Sequence, residues 1–242
     1  MICFDQSEFE LRCEWGSQGI GQLAPVSDAV IIVDVLSFCT SVSIAISREA
    51  CIFPYRYNDE TARAFAEARG AMLAGSRGPS GGYSLSPASL LDIPAGARLV
   101  LPSPNGAALS METGPVATFA GCLRNAGAVA RAARQAGRRI SLIPAGERWA
   151  DGSLRPALED LVGAGAILYH LPGSRSPEAA AAEAAFLNLA SDLPAGLRRC
   201  GSAKELAARG FSVDVDLAAA LNSENCAPML VADAFIQPIN LS

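Results

Sequence analysis

The chain has 242 residues, 50% of them hydrophobic and 18% charged, with a net charge of −5. That is enough for one sizeable core and short for two full domains. The acidic balance argues against nucleic acid as the main partner, and no apolar run approaches the roughly 20 residues a membrane helix needs.

MICFDQSEFE carries acids early and no basic stretch, so it does not read as a secretory signal. The seven cysteines are scattered, without close metal-type pairs. They predict free, mostly structural thiols in a cytoplasmic protein. One domain over 1–242 is the simplest organisation, with residues 150–225 as a helix-rich flank; homo-oligomerisation is left open.

In chain order, a short strand or two precede a Gly-rich connector, GSQGIGQLAPVSD. Its GIG lacks the full dinucleotide fingerprint. Ala29 to Val33 is apolar, rich in β-branched residues and without alternation, as in a parallel strand buried on both faces. Asp34 stands where that strand ends. Ser37, Thr40 and Ser41 lead into a helix through Val42 and Ile46. CIFPYRY predicts a strand, Asp59 caps a helix to Arg69, and 71–75 is a short strand. Residues 76–90 form the longest structureless stretch, of a length that is often functional.

Leu99 to Leu101 is a strand ended by prolines, with Asn105-Gly106 as a turn before a short helix. Strand 116–121, a helix over 123–137 and strand 140–145 follow. Gly146-Glu147-Arg148 is expected in a loop, and a long helix from Leu154 to about Leu171. His170, the only histidine, suits a helix C-terminus better than a catalytic triad. Ser176 and Pro177 start another helix. Short helices near 203–209 and 214–222 and a last strand near 229–236 close the chain. The alternation predicts an α/β fold with helices on both faces of a mostly parallel sheet.

Three strand ends carry polar signals: Asp34, Ser103 to Gly106, and Gly146 to Arg148. In parallel order these ends share one edge, where helix N-termini offer N–H groups to anions. Gathered carboxylate and amide oxygens there suit Mg²⁺, which takes a few protein oxygens plus water and substrate phosphate. Each residue also has a plainer use. Asp34 can cap its helix, Glu147 can pair with Arg148 or Arg155, and Glu159 can pair with Arg155 at i−4.

IIVDVLSFCTSVSIAI, LPSPNGAALS, AGERWADGSLRPALEDLVGAGAI and DVDLAAALNSENCAPML, in that order, resemble the 2-phosphosulfolactate phosphatase family. The resemblance implies a three-layer α/β/α fold and Mg²⁺-dependent hydrolysis of a phosphate ester, giving sulfolactate in coenzyme M biosynthesis. Asp34, Thr40 and Ser41 match the family's first motif, and Asn105 and Gly106 its asparagine-glycine turn. Glu159, Asp160, Ala164 and Gly165 match its acidic helix, and Arg77 the arginine of a loop. The family commonly has arginine where this chain has Ser37, and glutamate where it has Ser76. Another cation is then needed for an anionic substrate, with Arg77, Arg148 and Arg124 as candidates.

The expected enzyme holds Mg²⁺ through Asp34 and Glu159, with Glu147 or Asp160 as further ligand or general base. Thr40, Ser41, Asn105 and Gly106 cradle the phosphate of a small anionic ester, and Arg77 neutralises its charge. The alternative is a non-catalytic protein that binds an anionic metabolite on the same scaffold.

Overall fold

A computed structural model describes residues 4–78 and 81–238. Its elements are β1 Leu11–Cys13, α1 Gly16–Leu23, β2 Ala29–Val33, α2 Phe38–Ser47, β3 Cys51–Tyr55, α3 Glu60–Ala68, β4 Met72–Leu73, β5 Arg98–Pro102, α4 Gly106–Ser110 and β6 Ala117–Gly121. They continue with α5 Ala126–Ala136, β7 Ile140–Pro144, β8 Glu147–Arg148, β9 Leu154–Arg155, α6 Leu158–Tyr169, α7 Pro177–Leu189, α8 Leu193–Arg198, α9 Gly201–Ala208, α10 Ser212–Ala218, β10 Met229–Val231 and β11 Ala234–Ile236.

A 9-stranded sheet runs in the order β1-β7-β2-β6-β10-β11-β3-β5-β4. Helices cover both faces, giving the three-layer α/β/α arrangement. β2 shows why its sequence lacks alternation. Ala29, Ile31 and Val33 enter the core beneath α5, α6 and α7. Val30 and Ile32 enter the opposite core with residues of α1, α2 and α4. A smaller core joins Phe53 and Val100 to Ala66 of α3.

The small residues of α6 serve its packing on α7. A Cβ at Gly165 would lie 2.0 Å from the Ala182 carbonyl oxygen, so only glycine fits there. Asp59 caps α3 and Ser176 caps α7 through their side chains, and His170 is the C-cap of α6.

Four expectations need correction. The Gly-rich stretch after residue 15 is a helix, α1, because Gly16, Gly19, Ile20 and Leu23 form a buried stripe. Glu147 and Leu154 lie in a two-stranded hairpin, β8 with β9, so α6 begins only at Leu158, after Pro156. The final strand is a hairpin, β10 and β11, turning at Ala232, which has φ 58.

The fourth correction concerns the sheet edge. β1, β7, β2 and β6 are mutually parallel, as are β3, β5 and β4. The terminal hairpin pairs antiparallel to β6 on one side and to β3 on the other. Followed from neighbour to neighbour, β5 therefore runs in the opposite sense to β2 and β7. The polar strand ends meet all the same. Adjacent strands rotate by about 20–25° each, so four steps from β2 to β3 turn the direction by roughly a right angle.

Among the described residues no helix is long and apolar enough to cross a membrane. All six described cysteines are free, five of them buried and Cys51 half-buried; Cys3 lies outside the described residues.

Candidate active site

The site starts from one carboxylate at a strand end. Asp34 follows β2 and is 5% exposed. Its Oδ1 accepts from the Phe38 N–H at 3.0 Å, the first turn of α2. Its Oδ2 accepts from the Gly106 N–H at 2.8 Å, the first residue of α4. One side chain thus caps two helices, and the capping use and the site use of Asp34 coincide. Gly106 is required by this approach. A Cβ there would stand 2.6 Å from the Phe38 ring and 2.7 Å from Asp34 Oδ2.

Asp160 is built the same way one layer deeper. Its Oδ1 accepts from the Val35 N–H and its Oδ2 from the Gly146 N–H, both at 2.8 Å. It therefore ties the segment after β2 to the segment after β7. Burial, then the charges of Asp34 and Glu159, push its pKa well above the usual carboxylate range.

Glu159, its neighbour on α6, is 2% exposed. No N–H or O–H group of the described residues donates to its carboxylate; the Cys200 thiol stands against it. That leaves its carboxylate oxygens with capacity for a further partner.

Glu147 completes the acidic group from β8. Its Oε2 accepts from Asn105 Nδ2 at 2.9 Å, which leaves Oε1 free. Burial, then repulsion from Asp34 and Glu159, raises its pKa to about 7. Burial likewise raises Asp34, against the pull of its two backbone donors and Arg77.

Asp34, Ser37, Arg77, Ser103, Asn105 and Glu147 line a cavity of 180 Å³. Its far wall comes from α9 and the residue after it, through Ser202, Glu205 and Arg209. Arg77, half-buried, is a cation of this cavity and is less exposed than Arg209, which also lines it. Arg77 donates to Ser37 Oγ at 2.7 Å and to the Leu85 carbonyl at 3.0 Å. Position 37, where a cation was wanted, is thus filled by the guanidinium of Arg77 seated on the serine hydroxyl.

The other expected residues stand elsewhere. Thr40 donates to the Val35 carbonyl and Ser41 to the Leu85 carbonyl, so both hydroxyls brace backbone beside the cavity. Arg124 is paired with Glu224 and the Leu217 carbonyl. Arg148 lines a neighbouring cavity of 240 Å³ that shares Asn105 and Glu147 as its wall. Glu147 and Arg155 face each other across β8 and β9, and Arg155 donates to Ser202 Oγ instead of to Glu159. Ser202, Glu205, Arg209 and Asp214 were not anticipated. Nothing in the local spacing marks the first three, which come to the cavity on and just after the short helix α9. Asp214, behind the cavity lining, opens the DVDL stretch that shares in the family resemblance, which implies no role for it.

Among the described residues no three His, Cys, Asp or Glu side chains converge into an all-protein metal cage. Mg²⁺ does not need one: it is typically held by one or two carboxylates, with waters and substrate phosphate completing the shell. The carboxylate oxygens of Asp34 and of Glu159, whose charges influence one another, fit that mode.

A profile of the family described as 2-phosphosulpholactate phosphatase matches residues 20–233. A 2-phosphosulfolactate phosphatase of Methanothermobacter thermautotrophicus is 30% identical over 193 residues, covering 78% of this chain and 81% of that protein. The matched span includes every residue that lines the cavity.

Proposed function

This chain belongs to the 2-phosphosulfolactate phosphatase family and is a phosphoric monoester hydrolase; on that premise we propose that it hydrolyses a small, multiply anionic phosphate ester of the 2-phosphosulfolactate type with the help of Mg²⁺. The observation that carries this reading is the juxtaposition of Asp34, Glu147 and Arg77 around one cavity. Asp34 and Glu159 would hold the metal, which when bound supplies positive charge to the phosphoryl oxygens and lowers the pKa of water.

The chain's own groups do the rest. The guanidinium of Arg77 receives an anionic group of the substrate. Asn105 fixes Glu147 through Oε2, so that Oε1 takes a proton from the attacking water. Water adds to phosphorus as the ester P–O bond breaks. The substrate oxygen takes a proton from solvent and leaves as the alcohol, and Glu147 gives up to solvent the proton it took, which balances the step. The small cavity suits a short ester rather than a polymer, and the net negative charge of the chain leaves recognition to the local arginine.

A phosphate-release assay with 2-phosphosulfolactate, in parallel with a phosphomonoester of the same carbon skeleton lacking the sulfonate, tests the reading. The expected result is release that depends on Mg²⁺ and favours the sulfonate-bearing ester. Binding of both esters without turnover under any divalent cation would favour the non-catalytic alternative.

A further inference from the structure

Arg77 is held from behind by a carboxylate that the reaction does not use. Asp214, on α10, is 1% exposed. Its Oδ1 accepts from Ser86 Oγ at 2.6 Å and from the Ala88 N–H at 3.3 Å. Its Oδ2 lies 3.7 Å from Arg77 Nε, and neither atom has another partner. The ring of Phe211, just before α10, stacks under the same guanidinium at 5.7 Å. Arg77 is thus fixed by Ser37 at its tip, by Leu85 in its own loop, and by Asp214 and Phe211 along its flank.

The chemistry of this arrangement is specific. Even half-buried, the Arg77 guanidinium has burial working against its charge, and the charge of Asp214 opposes that. Asp34 and Glu147 lie on the cavity side, where substrate and cation must come. Asp214 lies on the far side, outside the cavity lining. It compensates Arg77 without competing for the face that meets an anion. The Nε edge points to Asp214, so the guanidinium plane is set with its terminal nitrogens toward Ser37 and the cavity.

We propose that Asp214 is the positioning residue for anion recognition: it orients Arg77 from α10, so that α10, Arg77 and residues 85–88 act as one anion-binding unit over Asp34. The proposal rests on the reading of Arg77 as the substrate-facing cation.

The test measures binding of inorganic phosphate by calorimetry, and KM and kcat for phosphate release, in wild type, Asp214→Asn, Arg77→Gln and the double variant. Asparagine keeps an acceptor for Ser86 and Ala88 and puts an NH₂ donor where Oδ2 faced Arg77 Nε, so the charge and the acceptor toward Arg77 are lost together. Asp214→Asn is expected to weaken phosphate binding and raise KM by about 10-fold, with kcat changed less than about 3-fold. The double variant should bind no worse than Arg77→Gln alone, because Asp214 acts through Arg77. Unchanged binding in Asp214→Asn, or losses that multiply in the double variant, would overturn the proposal.

Should Asp214→Asn fail to fold, Ser86→Ala takes its place. It removes one donor to Asp214 and should weaken phosphate binding about 2- to 3-fold in the Arg77 background and not at all in the Arg77→Gln background. A loss of equal size in both backgrounds would overturn the proposal. Absence of turnover in wild type with the binding cycle still coupled would refute the phosphatase mechanism while leaving the role of Asp214 intact.

Discussion

The floor and the roof of the cavity are built on opposite principles. The floor consists of Asp34 and Glu147, which line the cavity, backed by the buried Asp160 and Glu159 of α6, all held by elements that follow β2 and β7. Backbone N–H groups grip two of them at both oxygens, and the sheet fixes where those N–H groups lie. The roof consists of Arg77, held by the Leu85 carbonyl, by Ser37 just before α2 and by Asp214 of α10. The floor is rigid and acidic, suited to a cation and a proton transfer. The roof is cationic and assembled from distant pieces, suited to choosing an anion. The contrast predicts that floor substitutions act on turnover or folding and roof substitutions on affinity.

The largest effect is expected at Asp34. Asp34→Asn keeps the shape and can still accept from one backbone N–H, yet it loses the charge that would hold a divalent cation. Steady-state assay should show kcat down by about 10³-fold or more in a folded protein. Near-normal Mg²⁺-dependent turnover would break the floor's assignment.

Asp34→Asn and Asp160→Asn both set an amide NH₂ against a backbone donor, so turnover per folded molecule rather than stability separates the two buried aspartates. Asp160→Asn is expected to act through stability. Its amide NH₂ would face one of two buried N–H donors, so the variant should lose about 2–4 kcal/mol of stability, measured by urea unfolding. A fully stable but inactive Asp160→Asn would move this residue from bracing to chemistry.

At the roof, Arg77→Gln removes a charge-assisted contact. KM should rise by about 10- to 100-fold with kcat far less affected. A collapse of kcat at unchanged KM would erase the distinction between roof and floor.

The smallest effect concerns pH. Glu147 has its pKa in the fold raised to about 7 from an ordinary 4.5, chiefly by burial. The folded chain therefore holds that proton more tightly than the unfolded chain. The contribution to stability is full below the ordinary value and is lost as pH rises through about 7. In metal-free buffer, thermal melts should show Glu147→Gln gaining on wild type between pH 5 and 8, as estimated from that window. Added Mg²⁺ should reduce the gain by offsetting the repulsion. A constant difference across the range would mean that Glu147 feels no such field.

The same contrast explains what could be read from the sequence. The floor was legible because its signals are local. An unalternating apolar run ends in Asp34, prolines end β5 before Asn105-Gly106, and Glu159 and Asp160 open a helix. The roof was legible only through Arg77. Its supports are remote, Ser86 and Asp214 being 128 positions apart; Asp214 stands in the DVDL stretch of the resemblance, yet nothing local shows that it is buried or that it faces Arg77. Thr40 and Ser41 mislead for a related reason: hydroxyls near a helix start serve carbonyls as readily as ligands. The strand order escaped too, since alternation of strands and helices cannot reveal that a terminal hairpin inserts between β6 and β3.

The division between floor and roof is tested most directly by titrating Mg²⁺ calorimetrically into wild type, Asp34→Asn and Arg77→Gln, with no substrate present. The account predicts a single Mg²⁺ site of similar affinity in wild type and Arg77→Gln, and none in Asp34→Asn. Mg²⁺ binding that survives in Asp34→Asn, or that vanishes in Arg77→Gln, would contradict it.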